Sequence, residues 1–384
     1  MTRRQWIICL LSLLLFSSAL FLFFPQQILP RMVDFEVNYK TGHRLLWGET
    51  LYRVEDGHYQ FKYPPFAAFI YLPLSLLPLS IAEFLWFYVS AIAITIILFL
   101  ASKLATPDQP IPYYVPLSTG LILARFFLRE LSLGQINALI TCLLLLMIVS
   151  WPDKMRLFKY HFRTAFFWGL AIALKPYALI FLPLFFLRRA WRIILMGLIF
   201  LLLGFLAPML FYGPHGNWQV HKEWLAHLSQ STPPLLTSLD NVSIFGLLAK
   251  WGGPSFPVWS VGLIIIGILA LVMFFVVLYS RPINQPIRLE AFLLLILIPL
   301  ISPLGWDYTF LLAAPAIALL VRYLSLFPRW DRYFLVLILA AIALTFYDLL
   351  GRQLYSTLMA ASLPTLLFIS LFFHLVWLRL KKIA

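Results

Sequence analysis

Residues 257–280 read PVWSVGLIIIGILALVMFFVVLYS, twenty-four positions without one charged side chain. Coiled as a helix at 1.5 Å per residue, this run is about 36 Å long, more than the roughly 30 Å hydrocarbon core of a bilayer. Apolar runs of similar character stand at 6–24, 83–103, 193–211 and 357–377, so the pattern belongs to the whole chain. Of its 384 residues, 62% are hydrophobic and only 11% charged, whereas a soluble domain carries about a quarter charged residues. That balance excludes a soluble globular enzyme. No stretch is long and polar enough to fold separately, so residues 1–384 read as one all-α, polytopic membrane domain. The run from Trp6 to Phe24 lacks a small-residue cleavage site before Pro25 and reads as a retained first span.

The formal net charge of +14 raises the question of a nucleic-acid partner, and the placement of the charges answers it. Arg3, Arg4, Lys103, the cluster from Lys154 to Arg163, Arg188, Arg189, Arg192, Arg281, Arg288, the stretch from Arg322 to Arg332, and Arg379 to Lys382 hold eighteen basic residues. Only Asp108, Asp153, Glu290 and Asp331 accompany them, while the intervening loops balance at eleven basic and eleven acidic. This is the positive-inside asymmetry. It places the first set and both termini in the cytoplasm and needs no nucleic acid. Short loops point to a multi-pass protein of a bacterial plasma membrane.

Between the long runs the chain is punctuated. The polar loops 25–63 and 212–256 fall outside, the second with an amphipathic stretch, Trp218 to Leu228, suited to a membrane surface. Residues 64–80 are apolar but interrupted by Pro64, Pro65, Pro73 and Pro78. They either dip into the membrane and return or cross it as a short helix. Residues 112–150 form a hairpin with its polar tip, Arg125 to Asn137, outside. Residues 164–187 have basic clusters at both ends and Lys175-Pro176 in the middle. Proline breaks the helical hydrogen-bond ladder, so two half-helices meeting near the outer face are favoured over one span with a buried lysine. With spans at 257–280, 289–303, 309–321 and 333–347, the total is about eleven to thirteen segments. Cys9 and Cys142 sit in apolar runs and read as core residues.

The residues able to carry chemistry gather on the outer side. Asp34 and Glu36 follow the first span, where a carboxylate either is an ordinary solvated charge or serves as a general base. Lys175 is costly within an apolar run, and a ligand pathway is its default role. At a helix break it would also stand beside backbone N–H groups that attract phosphate. Arg125, Arg129 and Glu130 either add charge to a site or pair with one another. Gln135 and Asn137 place two amides at the start of a span. Asn241-Val242-Ser243 fits the short glycosylation-acceptor pattern. Asp307, beside Trp306, holds a sugar hydroxyl or caps the next helix. No zinc cluster, phosphate-binding glycine loop or nucleophile elbow is present.

Taken in order, these fragments resemble glycosyltransferase family 87, the mannosyltransferase-like membrane group of the GT-C fold. The resemblance rests on Asp34-Phe35 with Tyr39, Gly48 to Tyr52, Tyr63-Pro64-Pro65, Pro73-Leu74, Gly134-Gln135-Ile136-Asn137, Gly169 to Pro176, Asn241-Val242-Ser243 with Gly246, and Ser302-Pro303 through Asp307. It runs over roughly residues 30–320. It implies a polyprenyl-phosphate sugar donor, often mannose, and a lipid or glycan acceptor at the extracytoplasmic face, with inversion at the anomeric carbon. The loop acid that serves as base corresponds to Asp34. Lys175 would neutralise the departing phosphate, with Arg125 or Arg129 assisting, and Glu36, Tyr39, Tyr63, Gln135, Asn137, Asn241, Trp306 and Asp307 would complete the substrate site. The scheme needs no cofactor, though Asp34 and Glu36 could hold a divalent cation weakly. One departure stands out: where the family carries a histidine after the Trp-Asp pair, this chain has Tyr308 and Thr309, and no spacing makes His215, His221 or His227 its substitute.

Two other classes compete. A flippase or transporter of a lipid-linked sugar needs polar residues deep in several spans and access from both faces, yet the inner halves of these spans are almost purely Leu, Ile, Phe and Ala. A scaffolding protein does not need Lys175 in mid-run or acids clustered on one side.

Overall fold

The computed structural model describes residues 31–57, 60–107, 109–151, 158–279 and 286–381. The expected first span at 6–24, with Cys9, lies outside the described residues. Within them the secondary structure is helical, with no strand and one isolated bridge between Asn241 and Trp306.

The first polar loop contains α1 (Val33–Leu46), whose first turn carries Asp34 and Glu36, where the helix dipole favours negative charge. A 3-10 turn at Pro65–Ala67 leads into α2 (Ala68–Ser75). Together they span eleven residues, about 17 Å of helix, shorter than the roughly 30 Å hydrocarbon core of a bilayer. The chain turns at Pro78 into α3 (Leu79–Ala105). The hairpin expected at 112–150 is α4 (Tyr114–Ile122), a break at Leu123, α5 (Ala124–Leu133) and α6 (Asn137–Ser150).

α7 (Phe158–Leu174) stops where the sequence says it must. Lys175 is extended (φ −154°, ψ 113°), and Pro176 opens a 3-10 helix, Pro176–Phe181, before α8 (Leu182–Leu187). α9 (Trp191–Leu206) is followed by α10 (Met209–Ser231), which turns away by 94° and so forms the lateral helix of the second polar loop. The same loop holds α11 (Ile244–Gly252), capped by the Ser243 hydroxyl, which accepts from Gly246 N. α12 (Val258–Leu278), α13 (Pro286–Ile301) and α14 (Ala314–Arg322) return to the bundle, α14 after a 3-10 turn at Asp307–Ala313. α15 (Arg329–Leu344) bends 103° into α16 (Tyr347–Ala360), and α17 (Leu363–Leu380) ends the bundle. The last span therefore starts at 363 rather than 357. α16 is a separate polar helix, and Ser362 in the left-handed region (φ 54°) divides the two.

Among the described residues three helices, α3, α12 and α17, are each long and apolar enough to cross a membrane, or five spans if each bent pair counts as one. The other apolar runs among the described residues fold as shorter helices. The environment is legible from α12: Leu263, Ile264, Ile268, Leu271 and Phe275 are all more than half exposed to the surroundings of the protein. A continuous sheath of such side chains is unfavourable in water and stable in hydrocarbon. The chain is an all-α polytopic membrane protein.

Buried charges brace both ends of α13. At one end Glu290, fully buried, accepts from Arg188 after α8 and from Arg379 of α17 (3.1 Å). The other end, about 16 Å along the helix, opens on the cavity described below. Removing one member of such a group leaves an uncompensated buried charge. Glu290→Ala is expected to cost about 3–5 kcal/mol, read as a lowered melting temperature in detergent. Asp331→Ala, at an exposed position, should stay within about 0.5 kcal/mol of the parent.

Candidate active site

A cavity of about 1060 Å³ opens between α1, the Lys62–Pro64 segment, the Lys175 break, α10 and the 301–308 turn. Six of the twelve candidate residues line it: Asp34, Tyr63, Arg129, Gln135, Lys175 and Trp306. α1 turns Asp34, Val37 and Asn38 to the cavity, one helical face at i, i+3 and i+4. Glu36, two residues on, leaves that face and pairs with Lys40 at 2.6 Å. The two acids therefore do not share a site, and the idea that together they grip a cation loses its geometry. Tyr39 also stays off the wall and donates to the Leu77 carbonyl at 2.7 Å, which ties α1 to the turn after α2.

The turn after α5 organises the wall. Gly134 is left-handed (φ 67°), and a Cβ there would lie 2.5 Å from Phe35 Cβ. Only glycine lets this turn approach α1 so closely. Trp86 Nε1 holds the Gly134 carbonyl at 2.9 Å. The next residue, Gln135, donates to Asp34 Oδ2 (2.5 Å) and accepts from the Tyr63 hydroxyl (2.8 Å). Burial pushes the Tyr63 phenol well above its ordinary range, so it remains a donor. Tyr63 is itself fixed because its carbonyl accepts from the Tyr52 hydroxyl at 2.7 Å.

Asn137 lies one layer behind the wall, fully buried. Its side-chain oxygen accepts from Lys175 Nζ at 2.7 Å, and its amide donates to Glu130 Oε2 at 3.0 Å. Glu130 also takes the Ala138 N–H at 2.7 Å, capping α6. The pairing of Glu130 with Arg125 or Arg129 weighed from sequence does not form, because Glu130 leaves α5 on another side. The Lys175 ammonium sits 5.3 Å from the Tyr63 ring and 5.1 Å from the Tyr177 ring, a cation–π cradle. Asn137 takes one of its three donors. The helix following the break is six residues of 3-10 helix opened by a proline, which lacks an N–H. Positive charge here comes from the lysine itself rather than from a half-helix terminus.

The two arginines of α5 converge on Asp307. Arg125 reaches its Oδ2 at 2.5 Å and Arg129 at 2.8 Å, and Arg129 also forks onto both oxygens of Asp240 (3.0 and 2.5 Å). Asp307 accepts the Tyr308 N–H as well (2.8 Å). Burial works to raise its carboxyl, but Arg129 and Arg125 prevail and hold it below its ordinary value. Asp307 is thus the anchor of a buried ion network and is not open to a sugar. Arg125, which also donates to the Thr345 carbonyl (2.7 Å), is buried behind it. Asn241 staples two loops: its amide donates to the Leu236 and Pro303 carbonyls, and its oxygen accepts from Ser243 N and Gly305 N. Fully buried, it offers nothing to a glycosylating enzyme. Gly305 packs so tightly beside the Pro299 carbonyl (1.9 Å from an added Cβ) that no side chain fits.

Sequence reasoning missed three members of the wall: Lys62, Tyr177 and Asp240. Lys62 and Asp240 directly precede the motif residues Tyr63 and Asn241, and that adjacency was the signal available. Burial lowers the Lys62 ammonium below its ordinary range, and Asp34 opposes the shift. Among the described residues no cluster of three or more His, Cys, Asp or Glu side chains is placed to hold a metal ion. Cys142 is buried, with its Sγ 3.1 Å from the Ala93 carbonyl.

Gly134→Ala should destabilise the protein by about 1–3 kcal/mol, with a lowered melting temperature and Gln135 displaced from Asp34.

An acid, amides and cations around one large hollow at the end of a membrane bundle suit group transfer to or from a lipid-borne substrate. Neither the curated proteins nor the solved structures gave a match to this chain. A family model, that of glycosyltransferase family 87, matches residues 61–303. Most of the cavity wall falls within that range, Asp34 precedes it, and Trp306 and Asp307 follow it. The match covers more than half of the chain, which belongs to glycosyltransferase family 87 and is a membrane glycosyltransferase.

Proposed function

We propose that the protein transfers a sugar, mannose in the first instance, from a polyprenyl-phosphate donor to a hydroxyl of a lipid or glycan acceptor, with inversion, at the extracytoplasmic face of the plasma membrane. The observation that carries this reading is the placement of the Asp34 carboxylate on the wall of a large cavity that also presents Lys62 and Lys175, the second carboxylate there, Asp240, being paired with Arg129. The acceptor hydroxyl attacks the anomeric carbon, and Asp34 takes its proton. The bond from that carbon to the phosphate oxygen breaks, and the electron pair leaves with the lipid phosphate. Lysine ammonium groups neutralise the charge that develops on the departing oxygens. Gln135 fixes the carboxylate by donating to one of its oxygens. The scheme calls on no metal, so a chelator should leave the rate unchanged.

The charge asymmetry of the loops supports the outer-face orientation. A base that is ionised and aimed contributes typically a factor of 10² to 10⁴. In lipid nanodiscs with radiolabelled polyprenyl-phosphate mannose and a lipid extract as acceptor, Asp34→Asn is expected to lose about that much of kcat while still binding donor. Equal transfer by parent and variant would remove Asp34 from the mechanism. Silence with mannose, glucose, galactose and arabinose donors alike would remove the transferase reading as stated. Gln135→Leu should lower kcat by about 10-fold or more with KM little changed, because it loosens the base without removing it.

A further inference from the structure

One buried acid has no part in the scheme above. Glu130 is fully buried on α5, yet both arginines of that helix, Arg125 and Arg129, are taken by Asp307 and Asp240. A carboxylate in such a place is costly unless hydrogen bonds and an opposite charge compensate it. Its two oxygens divide the hydrogen bonds. Oε1 accepts the Ala138 N–H at 2.7 Å, and Oε2 accepts the Asn137 side-chain amide at 3.0 Å. The opposite charge is Lys175, whose ammonium donates to the oxygen of the same Asn137 amide at 2.7 Å.

The Asn137 amide can face only one way. An ionised carboxylate accepts and does not donate, and an ammonium donates and does not accept. The nitrogen of the amide therefore faces Glu130, and its oxygen faces Lys175. Turned over, it would set donor against donor at one end and acceptor against acceptor at the other. The backbone of the break is held separately. Lys175 N reaches the Ala171 carbonyl at 2.9 Å, and the Trp168 indole holds the Ala178 carbonyl at 2.9 Å. What the relay governs is the lysine side chain. Asp34, on the cavity wall, is the other acid whose charge acts on that ammonium.

We infer that Glu130 is a positioning residue of the transfer reaction: acting through Asn137, it fixes the Lys175 ammonium in the cavity wall and supplies its counter-charge from behind. The inference rests on the reading above that Lys175 neutralises the departing phosphate. Asn137, which the family resemblance would set against substrate, becomes the middle of this relay. The demand on Lys175 grows during the reaction, because the phosphate leaves with more negative charge than it brought. An ammonium already held in place needs no reorganisation at that moment, so the relay acts on kcat more than on KM.

The test exchanges the two partners in the full chain. Glu130→Gln can donate to the Asn137 oxygen and so turn the amide over. Asn137→Asp sets two carboxylates side by side. In the double variant the new amide donates to the new carboxylate, which accepts from Lys175, and the net charge of the group returns to the parent value. In nanodiscs with polyprenyl-phosphate mannose, each single variant is expected to lose about 10- to 100-fold of kcat with KM little changed, and the double variant to recover most of that loss. A double variant no faster than the slower single, at the parent's melting temperature, overturns the inference. A second readout needs no turnover. Lys175→Gln and Glu130→Gln each leave one buried charge alone and should lower the melting temperature, whereas the two together leave none and should melt above either single. Losses that simply add overturn the relay, whatever the exchange variant does. Transfer by Lys175→Gln at the parent rate overturns the positioning role even where the melting temperatures couple. A parent protein silent with every donor removes the transferase reading instead, and the melting temperatures then decide the relay on their own.

Discussion

The turn from Gly134 to Asn137 is the constraint on which the site depends. A polar group buried in protein has no water to fall back on, so each must find a protein partner. In four residues this turn meets that demand for α1, α3, α5, α6 and the Lys175 break. The Gly134 carbonyl takes the Trp86 indole, Gln135 joins Asp34 to Tyr63, and Asn137 joins Lys175 to Glu130. The left-handed glycine lets the turn press against Phe35, and any side chain there would push Asp34 away from its amide partner.

Around this turn, charge is sorted by purpose. Arg125, Asp307 and most of Arg129 form a brace between α5, the second polar loop and the turn after α13, and Glu290 with Arg188 and Arg379 does the same at the opposite end. Buried ion groups of this kind add little net stability over apolar packing, but they are intolerant of losing one member. They fix how short helices meet, which matters in a bundle where many crossings are assembled from pieces. The charges that remain on the cavity, Asp34, Lys62 and Lys175, are carried by α1 and by loop or break residues whose backbones are pinned on both sides. Such a placement lets a site be charged and yet hold its geometry before substrate arrives.

The family assignment and the geometry bear on different parts of the chain. The matched region, 61–303, contains the amides and the lysines of the site, whereas the carboxylate on α1 lies before it. What links Asp34 to that region is physical contact, the Gln135 amide, and the chemistry proposed for the site runs through that contact.

The sequence by itself determined the class of the molecule. Apolar runs longer than a bilayer is thick and prolines that cannot continue a helix are local properties, so α3, α12, the break at Lys175 and the amphipathic Trp218–Leu228 stretch as part of a lateral helix were legible from residue order. Asp34, Tyr63, Gln135 and Lys175 were legible too, since polar residues are conspicuous in an apolar chain. Only the tertiary structure decided which of the conspicuous residues face the cavity. Glu36 and Asp34 are two positions apart yet fall on different faces of one helix. Asp307 and Asn241 look as exposed in sequence as Asp34 does, but partners more than sixty residues away enclose them. Lys62 drew no attention because a lysine in a polar loop is ordinary, and it stands out only once folding has half-buried it on the cavity wall within range of the Asp34 charge. Burial and pairing depend on contacts between distant segments, and residue order records those contacts only indirectly.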